Sequence, residues 1–304
     1  MNVAFILNSQ IRRLNRARNQ IIEFEESGIA NEVSTYETES AFHAIQLSKS
    51  ACKNHDIIVA VGGDGTANEV LNGIIQSGLK RTMAVLPYGT ANDLSRSLKI
   101  DREITTLIDL IKNNDVVELD IGEVNFLNDS ADEDHRYFIN EIDFGLGGYV
   151  VEQVTNSSKP FGAKYSFLRA ILQGLVIYEQ SEVIIKADNF EWTGKLLSLA
   201  ISNGKFFGSG LQVASRASMT DGVFDVALFS NIKTIDYFKY IRKLKRGIPI
   251  NDPKITYFKT TELSIEPIDL SCAIDIDGEF CGFTPATVKI IPKAIRILSE
   301  NPHV

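Results

Sequence analysis

The first third of the chain alternates short, wholly apolar runs with amphipathic stretches. Residues 3–7, 56–61 and 82–86 read as buried strands; Gly62-Gly63 ends the second and Pro87 stops the third. Residues 14–26, 38–54 and 67–76 carry helical spacing, with Val70, Leu71, Ile74 and Ile75 on one face of the last. Residues 91–98 and 103–113 predict two further helices. Continuous apolar strands separated by amphipathic helices indicate a parallel sheet covered on both faces, and so a doubly wound α/β domain.

From about residue 116 the pattern becomes strand after strand. Residues 116–124, 136–144, 181–187, 191–203, 223–229, 256–266, 272–276 and 286–291 predict strands, with turn signals at Asn128-Asp129-Ser130, Asp188-Asn189, Asp221-Gly222 and Asp277-Gly278. That is the signature of an antiparallel β domain. Helical spacing interrupts it at 165–178 and 234–246, and the acidic run 129–134 reads as a solvated hairpin tip. The expected domains are 1–121, with the tail at about 294–304 returning to it, and 122–293.

Composition narrows the field only slightly. The chain has 304 residues and a net charge of −8, which argues against a duplex-DNA binder and predicts no nucleic-acid partner. Its three cysteines, Cys52, Cys272 and Cys281, form no C-x-x-C pair, so a zinc ribbon is not indicated and a reducing cytoplasm is expected. The apolar residues at the N-terminus precede the arginines, the reverse of a signal peptide. No run of 18 apolar residues predicts a transmembrane helix.

The strongest chemical signal is Gly62-Gly63-Asp64-Gly65-Thr66, followed by Asn68 and Glu69. It follows a buried strand and opens a helix. Closely spaced glycines let backbone approach a ligand, and a helix N-terminus offers free N–H groups to a phosphate. Thr66 can cap the helix or bond a phosphate oxygen. An Asp in such a loop makes sense beside a divalent metal, or as a base on an attacking hydroxyl; a tight turn with an Asp cap is the bland alternative. The second signal, Pro87-Tyr88-Gly89-Thr90-Ala91-Asn92-Asp93, ends the next strand in another Gly-Thr turn. Parallel strands share their carboxyl edge, so the two turns converge on one crevice. The third signal is Asp275, Asp277 and Glu279, which alternation puts on one face if the strand persists. Paired carboxylates can deprotonate a hydroxyl or hold a metal; an Asp-Gly hairpin turn is the alternative there.

Taken together, these residues resemble the diacylglycerol kinase catalytic-domain family, which includes bacterial soluble lipid kinases, sphingosine kinases and ceramide kinases. GGDGTANEVLNGI (62–74) and LPYGTANDLSRSL (86–98) are similar to its two nucleotide loops, residues 201–229 to its central β-domain signature, and IDGE (276–279) to its late acidic motif. The resemblance covers essentially the whole chain. It implies an N-terminal doubly wound α/β domain of the NAD kinase/diacylglycerol kinase type and a C-terminal antiparallel β-sandwich. The implied activity is a lipid kinase using ATP and Mg2+ on a hydroxyl of diacylglycerol, sphingosine, ceramide or phosphatidylglycerol.

The resemblance also implies site residues. Asn8, Gly62, Gly63, Gly65, Thr66, Glu69, Gly89, Thr90, Asn92 and Asp93 would bind nucleotide. Asp277 and Glu279 would be the catalytic acidic pair, with Asp277 the base on the lipid hydroxyl and Asp64 the second candidate. Asp221 would hold a structural magnesium in the β domain, and Asp93 and Asp120 would join a network around a catalytic one. The chain departs from the family after its first strand. Asn8 is present, but Ser9-Gln10-Ile11 stands where a proline and a glycine are usual, and Arg12, Arg13, Arg16 and Arg18 could face phosphate instead.

Access to a lipid suggests a transient membrane contact. Residues 233–248 carry Ile235, Phe238, Ile241, Leu244 and Ile248 at helical spacing, with Lys239, Arg242, Lys243, Lys245 and Arg246 among them. A basic amphipathic helix can lie on an anionic membrane; it can equally pack on the β domain with its basic face solvated. The expected location is therefore cytoplasmic with peripheral membrane attachment, and a homodimer stays open. The Gly-Gly-Asp-Gly-Thr loop also keeps NAD kinase as an alternative, and the missing proline and glycine keep a non-catalytic nucleotide or lipid sensor. Gly145-Leu146-Gly147-Gly148 superficially matches a dinucleotide fingerprint but misplaces its third glycine.

Overall fold

The structure is a computed structural model that describes residues 1–128, 130–155, 169–170, 173–174, 176–206, 208–232 and 234–301. The chain divides into two units: Met1–Ile121 with Met219–Asp221 and Pro292–Val304, and Gly122–Ser218 with Gly222–Ile291.

The first unit runs β1 (Asn2–Leu7), α1 (Leu14–Glu26), β2 (Glu32–Glu37), α2 (His43–Ala51), β3 (Ile57–Gly62), α3 (Asp64–Ser77), β4 (Thr82–Pro87), α4 (Asp93–Leu98) and α5 (Ile104–Asn113). The chain leaves through β5 (Val116–Leu127) and returns through β14 (Glu279–Leu298). All the pairs of this sheet are parallel, in the order β2-β1-β3-β4-β14. Every residue of β3 and β4 is buried, which is why they read as unbroken apolar runs. β2 (EVSTYE) is a half-exposed edge strand, and its polar character hid it from the apolar pattern. α1 buries Ala17, Gln20, Ile21 and Phe24 on one stripe, and Phe24 meets Phe5 edge-on at 5.1 Å. A fully buried Phe of this kind contributes about 1.5–3 kcal/mol. From β1 the chain moves to β2 on one side, then to β3 on the other. The carboxyl ends of β1 and β3 therefore flank the point where strand order reverses, the usual ligand crevice of an open α/β sheet.

The second unit continues with β6 (Glu133–Phe138), β7 (Glu141–Gly145), α6 (Leu146–Thr155), β8 (Ser181–Ala187), β9 (Phe190–Ser202), β10 (Phe224–Ser230), α7 (Thr234–Leu244), β11 (Ile255–Thr260), β12 (Glu262–Pro267) and β13 (Ala273–Ile276). Its strands pair antiparallel. Two long strands join the faces of this β-sandwich: β9 pairs with β8, β7 and β10, and β14 with β13 and β12. Phe138 and Phe224 stack in the core between the faces at 5.6 Å.

Several expectations change in detail. Residues 136–144 are two strands with a corner at Ile139-Asn140, and 256–266 break at Thr261. A helix, α6, starts directly after β7 and takes in Gly147 and Gly148. The helix expected over 165–178 falls largely outside the described residues. In α7, Tyr240 and Leu244 pack with Val213, Ile232 and Ile250, so these apolar positions face protein rather than solvent.

Candidate active site

In the first unit the turns after β1, β3 and β4 meet. Gly62 O accepts both the Tyr88 and Gly89 N–H groups, at 2.7 and 3.1 Å. Gly63 and Gly89 pack backbone on backbone, and a Cβ on Gly89 would lie 2.4 Å from the Gly63 Cα and 2.6 Å from Asn92 Oδ1. Glycine is required at this crossing because there is no room for a side chain. Asn8 closes the third side: its Nδ2 donates to Thr66 Oγ1 at 2.9 Å, and its Oδ1 accepts the Gln10 N–H. That turn shapes the end of β1 without the family's proline and glycine. α3 starts at Gly63 with no side-chain cap, so Thr66 ties loops together rather than capping. The start of α3 thus lacks a side-chain cap, as an anion site needs.

Asp64 Oδ1 accepts the Leu94 N–H at 3.1 Å and so ties the start of α3 to the start of α4. Burial pushes its carboxyl above the ordinary carboxylate range, against the backbone N–H groups that lower it. Asn92 adopts a left-handed conformation (φ 52) and donates to Gly89 O. Its Oδ1 is buried without a hydrogen-bond partner among the described residues. Thr90 is exposed and Asp93 buried. Glu69 differs from its expected nucleotide role, because its two oxygens accept the Phe42 and Ala44 N–H groups at 3.1 and 3.0 Å. It caps α2. Arg16 and Arg18 also have other partners, Glu103 and Glu37, at 2.7 and 2.8 Å on the surface.

Sequence reasoning missed the prop under the second loop. Arg102 Nε donates to Pro87 O at 2.7 Å, its guanidinium lies 5.2 Å from the Tyr88 ring centre, and the Tyr88 hydroxyl donates to Gln20 Oε1. No local motif links Arg102 and Gln20 to this loop.

Asp120 is buried and accepts the Lys293 N–H at 2.8 Å, while its own N–H donates to Met219 O. Asp221 is exposed and packs with the first unit, not with the β domain where the resemblance puts a structural ion. Among the described residues no three His, Cys, Asp or Glu side chains form a metal cage. Magnesium keeps several waters and needs only one or two carboxylates besides phosphate oxygens. The buried carboxylates of Asp93 and Asp120 offer that donor chemistry.

In the second unit the Asp-Gly pair is a two-residue hairpin turn. Asp277 and Gly278 have φ 49 and 89, and Ile276 pairs with Glu279 across it. The strand does not persist, so Asp277 does not share a face with Asp275. Its carboxylate instead accepts three backbone N–H groups from the β6–β7 corner: Ile139 at 3.0 Å on Oδ2, Asn140 at 3.0 Å and Glu141 at 2.9 Å on Oδ1. Glu279 is half-buried at the foot of the turn. Two further buried carboxyls lie on β7 and β13, Asp143 and Asp275. Burial raises both, Asp143 to about 7 and Asp275 well above the ordinary range. The sequence signal for Asp143 is a lone acid inside an apolar strand.

Comparison with known proteins fits this division. The model of the diacylglycerol kinase catalytic domain matches residues 3–124, and that of the YegS C-terminal NAD kinase beta sandwich-like domain matches 141–299. The chain is 29% identical to a diacylglycerol kinase of Bacillus subtilis (strain 168), over 91% of this chain and 88% of that one. It is 26% identical to a diacylglycerol kinase of Staphylococcus carnosus (strain TM300), over 92% and 88%. A crystal structure described as a diacylglycerol kinase from Bacillus anthracis str. Sterne shares the fold at TM-score 0.75 and 18% identity, covering 100% of this chain and 98% of that one. Yeast NADH kinase complexed with NADH superposes at TM-score 0.54 and 10% identity, over 99% and 84%.

Proposed function

The chain belongs to the diacylglycerol kinase catalytic-domain family, and from that membership we propose that it transfers the γ-phosphate of ATP to a hydroxyl of diacylglycerol or a related lipid. The observation that carries this reading is the Gly63–Gly89 crossing beside the uncapped start of α3. It offers backbone N–H groups, and no bulk, where a nucleotide's phosphates need both.

Phosphoryl transfer asks the protein mostly to position groups and to neutralise charge. The N–H groups of α3 and the Gly62–Gly65 and Gly89–Thr90 turns hold the phosphates. Asn8 and Asn92 keep the turns in register. Asp64 takes the proton of the attacking lipid hydroxyl. Its raised pKa suits a base better than an ordinary carboxylate's would, and backbone N–H groups of the α4 start hold the carboxyl in place. Asp277, the first candidate on resemblance, accepts three backbone N–H groups of the β6–β7 corner. We assign it to positioning the β6–β7 corner, and Glu279 to a hydroxyl of the lipid headgroup. Magnesium, when bound with the nucleotide, would supply positive charge to the phosphate oxygens; Asp93 and Asp120 would hold it.

The basic face of α7 is the proposed membrane contact. Arg242, Lys243, Lys245 and Arg246 are exposed and have no ion pair among the described residues, while Lys239 lies 3.7 Å from Asp236. Ile248 beside them is 46% exposed. Each cation near an anionic surface contributes about 1 kcal/mol. Among the described residues no helix is long and apolar enough to cross a membrane, so the proposed attachment is peripheral and transient, from the cytoplasm.

The test offers labelled ATP and magnesium with diacylglycerol, sphingosine, ceramide and phosphatidylglycerol in mixed micelles, and with NAD. Label in one lipid supports the proposal and names the acceptor. Label in NAD alone, or in no acceptor, contradicts it.

A further inference from the structure

Asp143 and Asp275 are register partners across the antiparallel β7–β13 pair. Cross-strand partners of this kind hold their Cβ atoms about 4.5–5.5 Å apart. Both are buried, at 1% and 4% exposure. The start of α6 closes over them so tightly that a Cβ on Gly147 would lie 2.3 Å from Asp143 Oδ1. Their partners are unequal. Asp143 accepts the Gly147 N–H at 3.1 Å on Oδ1 and the Ser198 hydroxyl at 2.6 Å on Oδ2. Asp275 accepts the Gly278 N–H at 2.8 Å on Oδ1.

No compensating cation acts on the pair among the described residues. β13 and its turn bring Asp277 and Glu279, the β12–β13 connection brings Cys272, and the segment before β8 brings Tyr178. β9 presents the Ser198 hydroxyl and α6 the Gly147 N–H. Arg136 points its Nη1 at Cys281 Sγ, at 3.2 Å. Two carboxylates this close in a low-dielectric site cannot both ionise.

We propose that Asp143 and Asp275 hold one proton between them at neutral pH, and that this pair is the positioning device of the Asp277-Gly278-Glu279 turn. Asp143, which accepts two hydrogen bonds to the one of Asp275, carries the negative charge. Asp275 carries the proton, while its Oδ1 anchors the turn through Gly278. Loss of the proton sets two negative charges against each other across β7–β13 and loosens the turn that orders the β6–β7 corner. The clamp matters for catalysis only if the lipid kinase reading holds, so the test has one arm independent of activity.

That arm is the infrared spectrum of the whole protein in heavy water. The C=O stretch of a buried protonated carboxylic acid is expected at pH 7, removed by Asp275→Asn and fading in the wild type as pH rises. Its absence from the wild type, or its persistence in Asp275→Asn, overturns the shared proton. The second arm is the pH profile of kcat for lipid phosphorylation. The wild type should lose kcat on the alkaline side with the KM for ATP unchanged, and Asp275→Asn should flatten that limb. Superimposable profiles overturn the positioning role even if the infrared band behaves as expected. If Asp275→Asn does not fold, Asp143→Asn takes its place; it too should flatten the limb and leave a band that no longer titrates. Absence of phosphate transfer by any variant, with the infrared result intact, defeats the kinase reading and with it the catalytic half of the proposal, but leaves the shared proton standing.

Discussion

Gly63 and Gly89 cross with no space for a side chain: a Cβ on Gly89 would stand 2.4 Å from the Gly63 Cα. The two turns thus act as one rigid unit, the proposed phosphate cradle. Gly89→Ala forces them apart. Overpacking of this kind costs about 1–3 kcal/mol, and about 1.4 kcal/mol lost from binding is tenfold in affinity. The expected outcome is a lower melting temperature and ATP binding weakened by about tenfold, read by calorimetry. Unchanged ATP affinity would remove the crossing from the site.

Asp64 and Asp277 separate by opposite responses to the same substitution. Asp277→Asn replaces a carboxylate oxygen with an amide that cannot accept the backbone N–H groups. With charge-assisted bonds worth about 1.5–3 kcal/mol each, urea unfolding should show a loss of about 3 kcal/mol. Burial raises the folded pKa of Asp64, so its contribution to stability is full below the unfolded carboxylate pKa and is lost as pH rises through the raised value. Asp64→Asn should therefore be at least as stable as the wild type at pH 7 while losing phosphate transfer.

The same shift fixes the acid side of the rate profile. A base must be deprotonated to act, so kcat/KM for the lipid should rise with pH through an inflection above the ordinary carboxylate range. An inflection at or below that range would exclude Asp64 as the base.

Glu69→Ala tests the reassignment of a nucleotide residue to a helix cap. Loss of a cap of this kind costs about 1 kcal/mol, and the KM for ATP should stay near the wild-type value. A large rise in KM without loss of stability would return Glu69 to the nucleotide site.

Replacing Arg242, Lys243, Lys245 and Arg246 by Gln should weaken sedimentation with phosphatidylglycerol vesicles. It should leave turnover of a water-soluble short-chain diacylglycerol unchanged. Equal vesicle binding would detach α7 from the membrane.

The parts of the site built from local sequence were legible before the structure. Gly62–Thr66 and Gly89–Asp93 could be placed at strand ends because β3 and β4 are unbroken apolar runs. The roles set by tertiary partners were not. Glu69 looks like part of the glycine loop until α2 is seen to start against it, and no motif announces the three β6–β7 donors that Asp277 accepts. β2 was missed because an edge strand is half polar, and Arg102 because it lies outside the motif that holds its partners Pro87 and Tyr88.

The most direct test is transfer of labelled γ-phosphate from ATP to diacylglycerol, with Asp64→Asn measured beside the wild type. The account predicts labelled lipid from the wild type and almost none from Asp64→Asn, with both proteins binding ATP equally. Undiminished transfer by Asp64→Asn, or label that appears in NAD and in no lipid, would contradict it.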